Sequence, residues 1–253
     1  MMTDAKTLAY INMYAVLGTL ENLCELDKEA SELVKTKKPV SVGLEVKNGP
    51  SATLTFANGR CRMEQGTANC DVLLPFSSCE KFNGLIDGTV TPIPSKGFSK
   101  IGFLLKKFTP LTDILSKYLK PSEEDLKDDK FFEISTKLMF SVITVALSQI
   151  GNNDEIGKFS ASLIPDGIID VSIKDCVYAS IHVKDHHMIT IKEKSDAFRS
   201  QMQFCDIRTA RALFDGKLNA IAAVGEGLVE MHGLINMIDN VNRILDRVAL
   251  YLA

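Results

Sequence analysis

The sequence predicts an α+β fold built from two tandem domains, each a small, mainly antiparallel sheet covered by helices. Three observations predict it. Apolar and turn residues recur along the 253-residue chain at an offset that grows from 127 to 130 residues. Each half opens with apolar residues at helical spacing and then changes to an alternation with a period of two. Each half finally returns to helical spacing, so that strands and helices are segregated rather than interleaved.

The repeat predicts two domains, 1–122 and 128–253, joined by a charged segment at 121–130. Small changes in the offset indicate short insertions in loops between matching elements. The matched positions include Lys47/Lys174, Phe76/Phe204, Gly88/Gly216, Gly97/Gly227, Leu104/Leu234, Ile114/Ile244 and Leu115/Leu245.

The elements can be followed in order through both halves. An amphipathic helix opens each half, and closely spaced strands joined by tight turns predict an antiparallel meander. A short helix follows, with Ser78 or Asp206 as its N-cap and an Asp-Gly pair at its end. A further short helix, a late strand near 98–104 or 228–234, and a closing helix complete each half. The predicted meander strands are 40–46, 52–56, 60–65 and 69–76 in the first half, and 169–173, 179–183, 187–192 and 197–204 in the second.

Composition excludes several classes of protein. Hydrophobic residues make up 45% of the chain and charged residues 24%, as in globular proteins, and the net charge is −3. The lysines and arginines form no cluster with an excess of positive charge, so the sequence does not predict a nucleic-acid partner. We expect neither a secretory signal nor an integral membrane segment. The six cysteines show no CxxC spacing, which favours free thiols in a reducing cytoplasm over a disulfide or zinc framework.

Candidate reactive groups are few, and each has a simpler structural explanation. His182, His186 and His187 with Asp185 could bind a metal, but a polar hairpin turn explains them better. Gly225-Glu226-Gly227 begins like a dinucleotide loop and lacks the third glycine. Cys79 lies near a helix N-terminus, where a thiol pKa can fall, although a small buried thiol is the commoner case. The sequence therefore predicts no catalytic residue, no metal and no cofactor.

The order of elements and three sequence motifs resemble the sterol carrier protein type 2 domain family, in two tandem copies. The motifs of the first half are 69–76, 79–88 and 97–102, and those of the second are 207–217 and 227–233. The resemblance implies an apolar tunnel for lipids, acyl chains or sterol-like molecules, and no covalent chemistry. Two departures, Phe198-Arg199-Ser200 at a strand start and Ala210 opposite Phe82, leave open which copy keeps a cavity.

The predicted function is non-catalytic binding or carrying of an apolar small molecule, with transient membrane contact possible. The alternative is a structural or partner-binding module without a cavity, and a weaker third possibility is an accessory domain of an enzyme. The candidate cavity residues are Phe82, Phe98, Phe103, Leu111, Leu115, Phe214, Leu234, Ile238, Val241 and Leu245.

Overall fold

A computed structural model describes residues 3–252. The described chain divides into two compact units, 3–134 and 135–252. The division falls inside a single helix, α7 (Asp129–Asn153). The domain boundaries expected from the repeat, 1–122 and 128–253, stay a prediction. Each unit combines one sheet with covering helices, which confirms the predicted α+β fold class.

The first unit begins with one continuous helical segment over residues 5–26. Its ends are α-helical, and its middle passes through a π-helical turn at Ile11–Val16 and a 3₁₀ turn at Leu17–Thr19. The α-helices of this unit are α1 (Ala5–Tyr10), α2 (Leu20–Leu26), α3 (Lys28–Leu33), α4 (Cys79–Ile86), α5 (Ile101–Phe103) and α6 (Thr109–Leu119). The strands are β1 (Val40–Val46), β2 (Ser51–Ala57), β3 (Arg60–Gln65) and β4 (Val72–Phe76).

The first sheet has the strand order β3-β2-β1-β4, and β4 runs parallel to β1. The predicted antiparallel meander is therefore wrong at its fourth strand. After β3 the chain crosses back over the sheet through residues 66–71 instead of turning tightly. The crossover passes over Gly43 of β1, where an added Cβ would lie 2.7 Å from the Sγ of Cys70. A larger residue at position 43 would obstruct this path.

The second unit has the same strand order with one strand added. The order is β7-β6-β5-β8-β9; β5 and β8 are parallel, and β9 pairs antiparallel with β8. The strands are β5 (Gly167–Ile173), β6 (Val177–Lys184), β7 (His187–Ile191), β8 (Ser200–Phe204) and β9 (Val229–Gly233). After α7, the helices are α8 (Glu155–Ser162), α9 (Ile207–Phe214), α10 (Ala220–Gly225) and α11 (Ile235–Leu252).

The predicted limits of the short helix are confirmed in both units. The side chain of Ser78 accepts a hydrogen bond from a backbone N–H in the first turn of α4, and Asp206 accepts two at the start of α9. Gly88 and Gly216 follow these helices with φ values of +71° and +66°. Both features could be predicted because a helix end depends on its own local residues.

The predicted late strand is confirmed at 228–234, as β9, and is wrong at 98–104. In the first unit only one bridge forms, between Leu73 and Lys96, before the chain turns at Gly97 into a 3₁₀ turn over Phe98–Lys100. Pro92 and Pro94 precede this bridge, and a proline has no N–H to donate to a neighbouring strand. The bridge therefore does not extend into a strand.

The structure also corrects the matched glycines. A Cβ on Gly97 would overlap the carbonyl oxygen of Asp71, and a Cβ on Gly233 would overlap that of Arg199, at the corresponding point before the fourth strand. Gly97 thus corresponds to Gly233 rather than to Gly227. Sixteen residues separate Gly216 from Gly233, but only eight separate Gly88 from Gly97. The additional residues accommodate α10, and the further short helix predicted for the first unit is absent from 89–96.

Among the helices of residues 3–252, α7 alone is long enough and apolar enough to cross a membrane. In its most apolar window 67% of the residues are buried inside the protein.

Candidate apolar cavity

The second unit contains a partly open cavity of about 380 Å³ between one face of its sheet and four helices. This volume lies within the range of roughly 300–1,000 Å³ that is usual for small-molecule sites. Helices α7, α9, α10 and α11 form the walls together with strands β5, β8 and β9. The lining residues are Met139, Phe140, Ile143, Thr144, Leu147, Val171, Met202, Phe204, Leu213, Phe214, Ala220, Val224, Val229, Met231, Asn242, Leu245, Asp246, Val248, Ala249 and Leu252.

Regular spacing brings these side chains to one place. On α7, lining residues recur at three- and four-residue steps, from Met139 through Ile143 to Leu147, which places them on one face of the helix. On α11, Leu245, Val248 and Leu252 follow the same rule. On the strands, lining residues alternate, as in the pairs Met202/Phe204 and Val229/Met231, because successive side chains point to opposite faces of a sheet.

Only three lining side chains are polar. The buried hydroxyl of Thr144 donates a hydrogen bond to the carbonyl oxygen of Phe140, 2.9 Å away, so its donor is already used within α7. Asn242 is half-buried and Asp246 is exposed, one turn apart on α11. The interior is therefore apolar, and the charged group of the lining, a carboxylate, lies at the solvent-exposed edge.

A buried ion pair holds the helix that forms one wall. The guanidinium of Arg247, on α11, donates to both carboxylate oxygens of Asp154, over 3.1 and 2.6 Å. The hydroxyl of Tyr251 donates to the same carboxylate over 2.7 Å. Asp154 also caps α8 by accepting from the backbone N–H groups of Ile156 and Gly157. The carboxylate thus joins α11 to the start of α8.

This pair shifts the ionisation of both partners. Burial raises the pKa of Asp154, but hydrogen bonds from Arg247, Gly157 and Tyr251 outweigh it and leave the pKa below its ordinary value. The pKa of Arg247 is raised by its hydrogen bond to Asp154, against the opposing effect of burial. Both shifts stabilise the charged forms, so the pair is ionised in the folded protein.

The lowered pKa of Asp154 predicts acid sensitivity of the second unit. Because the folded pKa lies below the unfolded value of about 3.9, the stabilisation is fully present above about pH 4. It is lost as the pH falls through the folded pKa. Urea unfolding followed across this range should show the urea midpoint falling more steeply in the parent protein than in Asp154→Asn. Equal pH dependence of the two proteins would contradict this assignment.

The structure places the ten predicted cavity residues in several different environments. Phe214 and Leu245 line the cavity, and the ring of Phe214 packs edge-on against that of Phe204, with centroids 5.6 Å apart. Ile238 and Val241 are buried on α11 outside the lining. Leu234, just before α11, is 39% exposed.

Four of the five candidates of the first unit pack in or against its core, and the fifth, Phe98, is 61% exposed. Phe82 is fully buried with its ring edge-on to that of Phe76, and Phe103 packs against Phe56 with ring centroids 5.4 Å apart. Leu111 and Leu115 are buried on α6. No ligand contact tests these ten residues, and their role stays a prediction.

Sequence reasoning missed the α7 and sheet walls of the cavity. The helical spacing of 131–145 predicts a helix that covers the sheet and does not indicate that this helix also lines a cavity. Met139, Ile143 and Leu147 lie on its cavity face, and Val171 and Met202 contribute from the strands. The sequence signal that could have found Met139, Ile143 and Leu147 is their spacing of four residues along the opening helix.

The other candidate chemical groups have ordinary surroundings. The ring of His182 lies 3.1 Å from the hydroxyl of Ser180 on the same strand. Within residues 3–252, no three His, Cys, Asp or Glu side chains are grouped so that they could hold a metal ion. Burial raises the pKa of the Cys79 thiol, and burial together with nearby carboxylates raises that of Cys24 to about 12. Both thiols therefore remain protonated and weakly nucleophilic at neutral pH.

Comparison with known proteins gives structural likenesses at low sequence identity. No protein-family model matches the chain, and no curated protein sequence matches it. The solution structure of sterol carrier protein domain 2 of Helicoverpa armigera is 16% identical, covers 51% of this chain and 94% of its own, and has a TM-score of 0.34. Sterol carrier protein 2 from Yarrowia lipolytica, in its apo form, is 20% identical over 42% of this chain and 92% of its own, with a TM-score of 0.30. The UbiJ-SCP2 ubiquinone synthesis protein is 15% identical over 43% of this chain and 88% of its own, with a TM-score of 0.34.

Proposed function

We propose that the second unit binds an apolar small molecule of the lipid, acyl-chain or sterol-like class in its cavity, without changing it chemically. The observation that carries the proposal is the composition of the lining. Seventeen of its twenty side chains contain only carbon and sulfur beyond the backbone. Such a surface binds apolar ligands by removing their surface from water, and a few polar groups then fix their orientation.

We further propose that the two units are copies of a sterol-carrier-like domain that have diverged. Their common strand order, with a parallel pairing of the first and fourth strands, supports this view together with the motifs of both halves. The cavity described above belongs to the second copy. In the first, the aromatic rings of Phe103 and Phe108 pack against Phe56, with centroids 5.4 and 6.0 Å away. On this view the first copy supports the fold. The six cysteines of the chain, four in the first copy and two in the second, are free thiols, which fits the reducing cytoplasm as the place where the protein acts.

The polar edge of the cavity indicates which end group the ligand carries. Asn242 can donate and accept hydrogen bonds, whereas the carboxylate of Asp246 only accepts them. No lysine or arginine belongs to the lining. We therefore expect a ligand whose polar end is an uncharged hydrogen-bond donor, such as a hydroxyl group, rather than a carboxylate that Asp246 would repel.

Ligand binding is expected to depend on Leu245, because tryptophan at this position would project into the cavity. Leu245→Trp should weaken binding of a fluorescent fatty-alcohol probe by more than about tenfold. This is the change in affinity that corresponds to the free energy of burying roughly one aliphatic side chain. Titration by fluorescence measures this effect. Leu250→Trp is the matched control, since Leu250 lies on the same helix, is 46% exposed and does not belong to the lining.

Two outcomes separate this function from its alternative. A fatty-acid probe of the same chain length should bind more weakly than the fatty-alcohol probe. Asp246→Asn should reduce this difference in affinity between the two probes. Native mass spectrometry of the purified protein should also show a bound lipid-like mass. If the protein is empty and binds neither probe, the function as an apolar-ligand carrier is wrong, and the structural or partner-binding module is favoured.

A further inference from the structure

The first unit exposes a cluster of large apolar side chains on the segment 93–105. Ile93 is 76% exposed, Phe98 61%, Ile101 36% and Leu105 66%. Contiguous exposed apolar side chains on one short segment mark a surface that contacts another apolar phase or partner. None of these residues lies in the cavity described above.

The local backbone explains why this face points outward. Gly97 turns the chain with a φ of +85°, and the following residues form consecutive 3₁₀, α and π turns up to Phe108. The aromatic rings of Phe103 and Phe108 pack inward on Phe56. Phe98, Ile101 and Leu105, which lie on the same turns, are instead exposed to solvent.

The same segment is positively charged. Residues 93–108 contain four lysines and no aspartate or glutamate, in a chain whose net charge is −3. Lys96 and Lys107 donate to the backbone carbonyl oxygens of Cys70 and Leu33, which fixes them beside the apolar cluster. Lys100, which is half-buried, and Lys106, which is exposed, alternate with the apolar residues along the sequence. Apolar side chains are thus interleaved with ammonium groups.

We propose that this segment, residues 93–108, docks on the surface of an anionic lipid bilayer. Phe98, Ile101 and Leu105 enter the boundary between headgroups and acyl chains, while the lysines contact anionic headgroups. A nucleic acid would satisfy the lysines but leave the apolar cluster in water, so the bilayer accounts for both observations. The proposal does not depend on whether the second unit binds a ligand.

Vesicle co-sedimentation of the full chain tests this proposal. The protein should bind vesicles of phosphatidylcholine containing phosphatidylserine, and bind vesicles of phosphatidylcholine alone far more weakly. Added salt should weaken binding, because it screens charges at a surface. Lys100→Glu with Lys106→Glu should weaken binding at least about fivefold per position, and Phe98→Gln with Leu105→Gln about tenfold each.

Matched controls separate docking of this segment from a general effect of net charge or of exposed apolar side chains. Lys37→Glu with Lys38→Glu makes the same change of charge at exposed lysines of the same unit, and Ile235→Gln removes an 82% exposed apolar side chain from the second unit. Both controls should bind as the parent does, and circular dichroism should show all variants folded. The proposal is overturned if the parent does not bind anionic vesicles, or if the segment variants bind them as tightly as the parent does. It is also overturned if the controls lose as much binding as the segment variants.

Discussion

Replacing Arg247 by alanine is expected to lower the free energy of unfolding by about 3–5 kcal/mol, because it leaves the buried carboxylate of Asp154 without its counter-charge. The side chains of Arg247 and Asp154 are only 6% and 5% exposed, so the charge left on Asp154 would be poorly screened by solvent. Urea unfolding at neutral pH measures the effect.

An exposed ion pair on the same helix provides the control for this substitution. Arg243 lies four residues from its partner Asp239, and both side chains are 58% exposed. Arg243→Ala should cost only about 0.3–0.5 kcal/mol. If Arg247→Ala does not fold, Tyr251→Phe tests the same site more gently, since removal of one hydrogen bond to a charged group costs about 1.5–3 kcal/mol. Equal effects of Arg247→Ala and Arg243→Ala would refute the role given to the buried pair.

Replacing Gly233 by alanine should destabilise the second unit by about 2–5 kcal/mol, the sum of a left-handed backbone cost and of overpacking. Its φ is +98°, and an added Cβ would overlap the carbonyl oxygen of Arg199. Since backbone cannot move aside as a flexible side chain can, the strand β8 or the start of α11 would have to shift. Thermal unfolding followed by circular dichroism measures the loss.

Gly227 separates the two causes of this loss. Its φ is +73°, but a Cβ there would meet no atom within 4 Å. Gly227→Ala should therefore cost only the left-handed conformation, about 1–2 kcal/mol. Gly97→Ala should resemble Gly233→Ala because its Cβ would overlap the carbonyl oxygen of Asp71. Equal losses at positions 227 and 233 would show that the close approach is unimportant.

Features set by neighbouring residues could be predicted from the sequence, whereas features set by distant contacts could not. The caps at Ser78 and Asp206 and the stops at Gly88 and Gly216 depend only on the residues beside them. The parallel pairing of β4 with β1 depends on a crossover over Gly43, which no local pattern reveals. At 98–104 the apolar residues fit a strand as well as a helix, and the packing of Phe103 and Phe108 on Phe56 decides the outcome.

Of the ten residues that the sequence offers as cavity candidates, only Phe214 and Leu245 belong to the lining of the cavity in the second unit, and their role in binding stays a prediction. Val241 and Leu245 lie on the same helix one turn apart, yet Val241 is fully buried outside the lining. Which apolar residue faces a gap depends on the distance between whole elements, and spacing along one helix carries no information about that distance.

The eight additional residues between Gly216 and Gly233 have a consequence for how such a site can originate. They contain α10, which supplies Ala220 and Val224 to the cavity wall, while strands β5 to β8 keep the order that β1 to β4 have in the first unit. A pocket that is closed by an inserted loop can be gained, reshaped or erased by changes in that loop, and the surrounding scaffold need not be redesigned. We therefore expect exchange of α10 to be the simplest way to change the shape of this cavity without altering the sheet beneath it.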